Sequence, residues 1–139
     1  MVGVLALQGN FASHIHILNQ IGISSKLVKT LQDLSGINGL IIPGGESTTM
    51  SNLLSRDQSF IDGIKSFSID KPILGTCAGL ILMSKNSFDK KVLNMNIIDI
   101  EVRGERNHKN CYFKVKDISQ GFEMPRLNNT LSNQDNNFI

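Results

Sequence analysis

The sequence predicts an α/β fold with three layers, in which a mostly parallel sheet carries helices on both of its faces. Short continuous apolar runs, typical of strands that are buried on both faces, alternate with segments whose apolar residues recur at helical spacing. Glycine or proline stands at most of the boundaries between these segments. A length of 139 residues suits one domain. We therefore expect residues 1–139 to form a single domain without a dividing linker.

Most of the predicted strands are short and apolar. The first, VGVLAL at 2–7, ends at a Gly-Asn turn, and the third, GLII at 39–42, is stopped by a proline and two glycines. Residues 26–29 are predicted as the second strand and residues 72–74 as the fourth. Because these strands alternate with helices, they are expected to pair in parallel.

The predicted helices are recognised by apolar residues that recur every three or four positions. They occupy residues 11–21, 47–54, 60–67 and 78–83. Gly22 is the expected end of the first helix, and Ser47 or Thr48 is the expected N-terminal cap of the second. Ligand sites in such folds lie at the carboxyl ends of the strands, which is where residues 43–47 and 75–79 fall.

The composition changes after Lys85. Asparagine becomes frequent, although residues 97–102 and 112–115 still have the character of strands. The pattern fades beyond Gly121, and we expect a disordered tail from about residue 126. Residues 1–85 are therefore the regular α/β half, and residues 86–139 diverge from it.

Charge and composition exclude several classes of function. With 14 Lys and Arg against 12 Asp and Glu, the net charge of +2 is too small to predict binding of nucleic acid or of an anionic membrane. No apolar stretch approaches the roughly 18 residues of a membrane-spanning helix, and no basic segment precedes the first apolar run as in a signal peptide. Two cysteines do not make a disulfide framework. We expect a cytoplasmic protein.

The segment Gly75-Thr76-Cys77-Ala78-Gly79 carries the clearest chemical signal. It places cysteine where a nucleophile elbow has serine, directly after a predicted strand and before a predicted helix. Such a turn exposes the sulfur, the helix N-terminus favours the thiolate, and the N–H of Ala78 can stabilise an oxyanion. The alternative is a structural cysteine buried in a glycine-rich turn, and these five residues alone favour neither interpretation.

A second glycine-rich loop, PGGESTT at 43–49, follows the third predicted strand. Two glycines let the backbone approach a ligand closely, and the N–H of Gly45 is a candidate second oxyanion donor. The loop is not a phosphate loop, because the Gly-Lys-Ser/Thr ending is absent. Taken alone it is better explained by a turn capped by Ser47 or Thr48. Together with a cysteine elbow at the same sheet edge, it indicates acyl transfer through a thioester.

Three ordered strings, LQG, PGGEST and GTCAG, also carry a resemblance. From Met1 to about Lys85 the chain resembles the glutaminase subunits of pyridoxal 5′-phosphate synthase, which are class I glutamine amidotransferases. The resemblance implies that Cys77 attacks the side-chain amide of L-glutamine and releases ammonia, and that water then hydrolyses the thioester. It implies a barrel-type synthase subunit as the partner that receives the ammonia for vitamin B6 biosynthesis. It implies neither a cofactor nor a metal.

The same resemblance assigns further residues by position. Gly45 and Ala78 correspond to the oxyanion donors, and Gly45, Glu46 and Ser47 correspond to the glutamine-binding loop. Gln8 and Gly9 correspond to the segment that couples the two subunits.

A substrate-binding arginine follows a strand in such proteins. Its counterpart is expected within IDIEVRGERN at 98–107, where Arg106 is the first choice and Arg103 the competitor. Either arginine can instead be a solvated charge at the end of a strand.

The chain departs from this resemblance in its C-terminal part. Family members continue into further strands and carry a His-Pro-Glu string, whose histidine activates the cysteine and whose glutamate orients the histidine. That string is absent here, and His14, His16 and His108 do not match the base. The sequence therefore leaves an alternative open, a catalytically inactive module that docks on the synthase through Gln8, Gly9 and the first helix. A cysteine hydrolase with another acyl substrate is a further alternative.

Overall fold

Four parallel strands form the first sheet of the structure. The structure is a computed structural model, which describes the backbone of residues 1–107, 110–117 and 122–123 and the side chains of residues 1–102. The strands are β1 (Val2–Leu5), β2 (Ser25–Val28), β3 (Gly39–Ile42) and β4 (Ile73–Gly75). They lie in the order β2-β1-β3-β4. The predicted parallel sheet is confirmed, with the first strand shorter than its apolar run and the second beginning one residue earlier than predicted.

Four α-helices connect these strands and follow them. They are α1 (Phe11–Gln20), α2 (Ser47–Leu54), α3 (Gln58–Asp70) and α4 (Ala78–Met83). A single turn of 3₁₀-helix, Leu31–Leu34, lies between β2 and β3. Gly22 follows α1 with a φ of 73°, as expected of a glycine that ends a helix.

The two faces of the sheet bury different sets of side chains. Val4 and Ile41 point to one face and pack with Leu18 of α1. Leu5 and Ile42 point to the other face, in the larger core. The helical members of that core are Met50 and Leu54 of α2, Phe60, Ile61 and Ile64 of α3, and Ala78, Ile81, Leu82 and Met83 of α4. The sheet therefore carries helices on both faces, which confirms the predicted three-layer class.

A second sheet follows α4. Its strands are β5 (Ser84–Ser87), β6 (Ile98–Asn107), β7 (Asn110–Asp117) and β8 (Phe122–Glu123), in that order, with β5 parallel to β6 and the other pairs antiparallel. The sequence predicted only the apolar parts of β6 and β7. It missed β5, which is polar throughout, and the expected tail from about residue 126 lies outside the described residues.

Hydrogen bonds made by polar side chains in the interior connect the segment before β6 to the helices. Ser51 of α2 donates its hydroxyl to the Ser47 carbonyl at 2.7 Å and accepts the Leu93 N–H at 2.9 Å. Asn94 donates to the Ile81 carbonyl at 2.9 Å and to the Ser84 hydroxyl at 3.0 Å. Because these groups are satisfied, the polar chain after α4 can pack on the core without the cost of unpaired donors.

The N-terminal cap of α2 differs from the prediction. The cap is Glu46, whose carboxylate accepts the N–H of Thr48 at 3.1 Å and the N–H of Thr49 at 2.6 Å, and not the predicted Ser47 or Thr48 hydroxyl. Hydrogen bonding by the Thr49 side chain, and then by the backbone N–H groups of Thr49 and Thr48, lowers the pKa of Glu46 from 4.5 to about 2. An ionised carboxylate therefore satisfies two donors that the first turn of the helix would otherwise leave free.

Within residues 1–107, 110–117 and 122–123, no helix has the length and apolar character needed to cross a membrane.

We predict that Ile64→Ala destabilises the fold by ~2–4 kcal/mol, because it removes buried methyl groups and leaves a cavity. Ile69→Ala on the same helix is the matched control. The Ile64 side chain is 0% exposed and that of Ile69 is 81% exposed, so the control should change the free energy of unfolding by less than about 0.5 kcal/mol. Equilibrium unfolding in urea measures both. Equal losses in the two variants would contradict the assignment of the core.

We also predict that Glu46→Gln lowers the unfolding free energy at neutral pH, with a difference from wild type that disappears in acid. The folded pKa of about 2 lies below the ordinary value of 4.5, so the carboxylate stabilises the fold above pH 4.5 and loses this effect as the pH falls to about 2. Urea unfolding across that pH range measures the difference. Ser47→Ala is the control, and a larger loss in Ser47→Ala than in Glu46→Gln would restore the serine as the cap.

Candidate active site

The candidate site lies at the carboxyl edge of the first sheet, where β1, β3 and β4 end side by side. Val4 pairs with Ile41, and Ile42 pairs with Gly75. The segments that follow these strands therefore emerge next to one another, as is usual for ligand sites in parallel α/β sheets.

Cys77 occupies a strained turn between β4 and α4. Its φ of 49° and ψ of −110° form a backbone conformation that residues other than glycine rarely adopt, and such a conformation costs about 1–3 kcal/mol. Hydrogen bonds on both sides hold it. The Thr76 N–H donates to the Ile42 carbonyl at 3.1 Å, and the Gly79 N–H donates to the Thr76 carbonyl at 2.8 Å. The thiol is free and exposed to solvent, so the turn presents it as a nucleophile elbow does.

The two glycines of the elbow are required because there is no room for a side chain at either position. A Cβ atom on Gly79 would overlap the carbonyl of Ile42, and one on Gly75 would lie 2.5 Å from the Met83 sulfur and 2.8 Å from the Gly79 carbonyl carbon. The first turn of α4 therefore lies against the ends of β3 and β4 at a distance that admits no side chain. Within the elbow the left-handed φ belongs to Cys77, and neither glycine has one.

The loop after β3 passes directly beside the cysteine. A Cβ atom on Gly44 would lie 3.2 Å from the Cβ of Cys77. The segment after β1 holds this loop from the other side. The Asn10 N–H donates to the Gly44 carbonyl at 2.8 Å, and the Gln8 Oε1 accepts the Glu46 N–H at 3.1 Å.

Gly9 makes this approach of the two segments possible. It has a φ of 94°, and a Cβ atom there would overlap the Gly44 carbonyl oxygen. Any other residue at this position would therefore push the β1–α1 segment away from the loop.

Two backbone N–H groups beside the cysteine have no acceptor in the part of the chain that the structure describes. Among the described residues, neither the N–H of Gly45 nor that of Ala78 donates a hydrogen bond to the protein. Gly45 is exposed and follows Gly44, which passes beside Cys77, whereas Ala78 is the first residue of α4. Free donors next to a nucleophile are the groups that an oxyanion requires.

His14 also belongs to this region, although the sequence analysis did not place it there. Its Nε2 atom lies 3.4 Å from the Thr76 hydroxyl oxygen, and the side chain is half-buried. The feature of the sequence that could have placed His14 here is its position in the first turns of the helix that follows β1. That end of the helix starts at the carboxyl edge of the sheet, where ligand sites lie. His16 is exposed on α1.

The two candidate substrate arginines belong to the second sheet. The backbones of Arg103 and Arg106 lie on β6, opposite Lys114 and Cys111 of β7. Their side chains, and the whole of His108, lie outside the described residues. In the described part of the chain, no group of three or more His, Cys, Asp or Glu side chains could hold a metal ion.

Comparison with known proteins agrees with this geometry. The model of the SNO glutamine amidotransferase family matches residues 4–132. The chain is 47% identical over 106 residues to the pyridoxal 5′-phosphate synthase subunit PdxT of Francisella philomiragia subsp. philomiragia, covering 76% of this chain and 55% of the relative. It is 42% identical over 118 residues to the PdxT of Francisella tularensis subsp. tularensis, covering 85% of this chain and 63% of the relative.

A solved structure shows the same fold. The crystal structure of a glutamine amidotransferase superposes with a TM-score of 0.66 at 29% identity, covering 82% of this chain and 69% of that protein. The chain spans 55% of the length of the first of these curated relatives and 63% of the second. The resemblance carried by the three glycine-containing strings is confirmed, and the chain belongs to the SNO glutamine amidotransferase family.

Proposed function

We propose that this chain hydrolyses L-glutamine to glutamate and ammonia through a thioester on Cys77, and that the ammonia passes to a barrel-type pyridoxal 5′-phosphate synthase subunit. The observation that carries the proposal is the exposed thiol, held in a strained turn beside a glycine loop with a free N–H group. The names of the PdxT relatives supply the synthase as the partner.

In the first step the thiolate of Cys77 attacks the amide carbon of the glutamine side chain. The negative charge that develops on the carbonyl oxygen is stabilised by the N–H groups of Gly45 and Ala78. The carbon–nitrogen bond then breaks, the leaving nitrogen takes a proton as ammonia, and the acyl group remains on sulfur. Water attacks this thioester, and glutamate leaves as the thiol is restored.

In this proposal the residues of the glutamine-binding loop have two different roles. Gly45 offers its backbone to the ligand, while Glu46 fixes the loop on α2, because its carboxylate is already engaged as the helix cap. Ser47 is the first residue of α2 and its carbonyl accepts the Ser51 hydroxyl, so it sets where the loop ends. Gln8 and Gly9 hold the loop from the β1 side, and we propose that partner binding is coupled to the loop through them.

A non-catalytic docking module is the second candidate. Thioester hydrolysis needs an acid and base, whose loss costs about 10²–10⁴ in rate. Among side chains up to residue 102 the imidazoles are those of His14 and His16, and the contact of His14 is with the residue beside the cysteine. A chain without an acid–base partner would bind the synthase through Gln8, Gly9 and α1 but would not turn over glutamine.

We predict that iodoacetamide alkylates Cys77 faster than Cys111, and that saturating L-glutamine slows the reaction at Cys77 alone. The reason is that Cys77 is exposed at the site where glutamine is proposed to bind. With the synthase subunit present, glutamate release should fall by roughly 10³-fold or more in Cys77→Ala and remain near wild type in the control Cys111→Ser.

Each failure of this test has a separate meaning. Equally slow labelling of both cysteines would contradict an activated nucleophile. Labelling without protection by glutamine would point to another acyl substrate. Absence of turnover with the synthase still bound would establish the docking module.

We further predict that one arginine of β6 binds the substrate carboxylate. Replacing that arginine by lysine should raise KM for glutamine about 10-fold with kcat little changed, because a bidentate contact is lost in the ground state and the transition state alike. Arg106→Lys is expected to show this effect and Arg103→Lys to serve as its matched control. A raised KM in Arg103→Lys alone would assign the role to Arg103. An unchanged KM in both variants would mean that both arginines are solvated charges on the strand.

A further inference from the structure

His14 touches the residue that precedes the nucleophile. Its Nε2 atom is 3.4 Å from the Oγ1 atom of Thr76, a long hydrogen bond between residues that are 62 positions apart in the chain. Helix α1 follows β1, whereas Thr76 follows β4, and β3 lies between these two strands. Among the hydrogen bonds made by the side chains of residues 1–102, the contact between His14 and Thr76 is the one that links α1 to the elbow.

The backbone of Thr76 is already fixed at both of its polar atoms. Its N–H donates to the Ile42 carbonyl and its carbonyl accepts the Gly79 N–H. The hydroxyl is the remaining polar group, and the branched side chain has a stiff χ1 angle. A Cβ atom on Gly44 would lie 4.0 Å from the Thr76 Oγ1, so this hydroxyl stands between the imidazole of α1 and the loop beside the cysteine.

A strained residue keeps its conformation only when its neighbours over-determine it. Cys77 is strained, and the residue before it is held by β3, by α4 and by His14. The same end of α1 adjoins the segment whose Asn10 and Gln8 hold the Gly44–Glu46 loop. The N-terminal end of α1 therefore contacts the elbow that carries the thiol. Through the segment before it, the same end also holds the loop that carries the proposed oxyanion donor.

We propose that His14 is a positioning residue for Cys77. Its imidazole fixes the Thr76 side chain and, through it, keeps the elbow in the conformation that exposes the thiol toward the glycine loop. The consequence for glutamine chemistry rests on the proposed function, whereas the consequence for thiol reactivity does not.

The test is the rate of alkylation of Cys77 by iodoacetamide across pH, with Cys111→Ser as the background so that a single cysteine reacts. His14→Ala and Thr76→Val should each slow the reaction about 3- to 10-fold, the size expected for loss of one hydrogen bond. The midpoint of the pH profile should stay in place, because the change is in position and not in charge. The double variant should be no slower than either single variant, since both remove the same contact.

Conservative and matched variants separate this role from a loss of folding. His14→Gln places an amide near the position of Nε2 and should restore most of the rate. His16→Ala, two residues away on the exposed face of α1, should react as wild type does. Thermal unfolding of each variant shows that the comparison is made on folded protein.

Four results would overturn the proposal. They are a wild-type alkylation rate in His14→Ala, a shift of the pH midpoint alone, additive losses in the double variant, and a failure of His14→Gln to recover any rate.

A chloroketone analogue of L-glutamine tests the proposed function separately. If it inactivates the wild type with saturation, His14→Ala should lower the limiting rate about 3- to 10-fold and leave half-saturation unchanged. An unchanged limiting rate would overturn the positioning role in glutamine chemistry. If the analogue does not inactivate the wild type, the glutamine assignment fails, and the iodoacetamide rates alone still decide the role of His14.

Discussion

The carbonyl group of Ile42, at the end of β3, is the constraint on which the site depends. It accepts the N–H of Thr76 at 3.1 Å, and it leaves no room for a Cβ atom on Gly79. Both Thr76, the residue before the cysteine, and the first turn of α4 are therefore held against the same atom. The chain must reverse between them within two residues, and the left-handed conformation of Cys77 is the result. The strain is thus a consequence of close helix–strand packing, and the exposed thiol is a consequence of the strain.

The same strand end also sets the distance between the thiol and the glycine loop. Gly44 lies two residues after Ile42, so the loop leaves β3 beside the atom that anchors the elbow, and its Cα comes close to Cys77. The β1–α1 segment then closes the loop from the opposite side through Asn10 and Gln8. The thiol and the glycine loop are neighbours because two strands of one parallel sheet end at the same level.

The sequence predicted the first sheet well because its strands and helices are made of apolar runs with clear periods, and the buried core is built largely from these runs. It failed where polar groups decide the structure. Strand β5 reads Ser-Lys-Asn-Ser and shows no strand pattern, yet Ser84 is buried with its hydroxyl bonded. Intrinsic preference favoured Ser47 as a helix cap, whereas Glu46 reaches two N–H groups. His14 has no signal beyond its position near the start of α1, since its contact is 62 residues away.

The contacts that shape the elbow and the glycine loop all fall between Gln8 and Met83. The arginine candidates come later in the chain, on β6 of the second sheet, and His108 is later in the sequence still. Presentation of the thiol is therefore specified by the first part of the sequence, whereas the proposed substrate arginine lies in the later part. Under the proposed function, a change in the later part can remove turnover and leave the elbow intact, because among the described residues the backbone hydrogen bonds of the elbow are made within the first part. Thiol reactivity thus reports on the first part, and glutamate release reports on both.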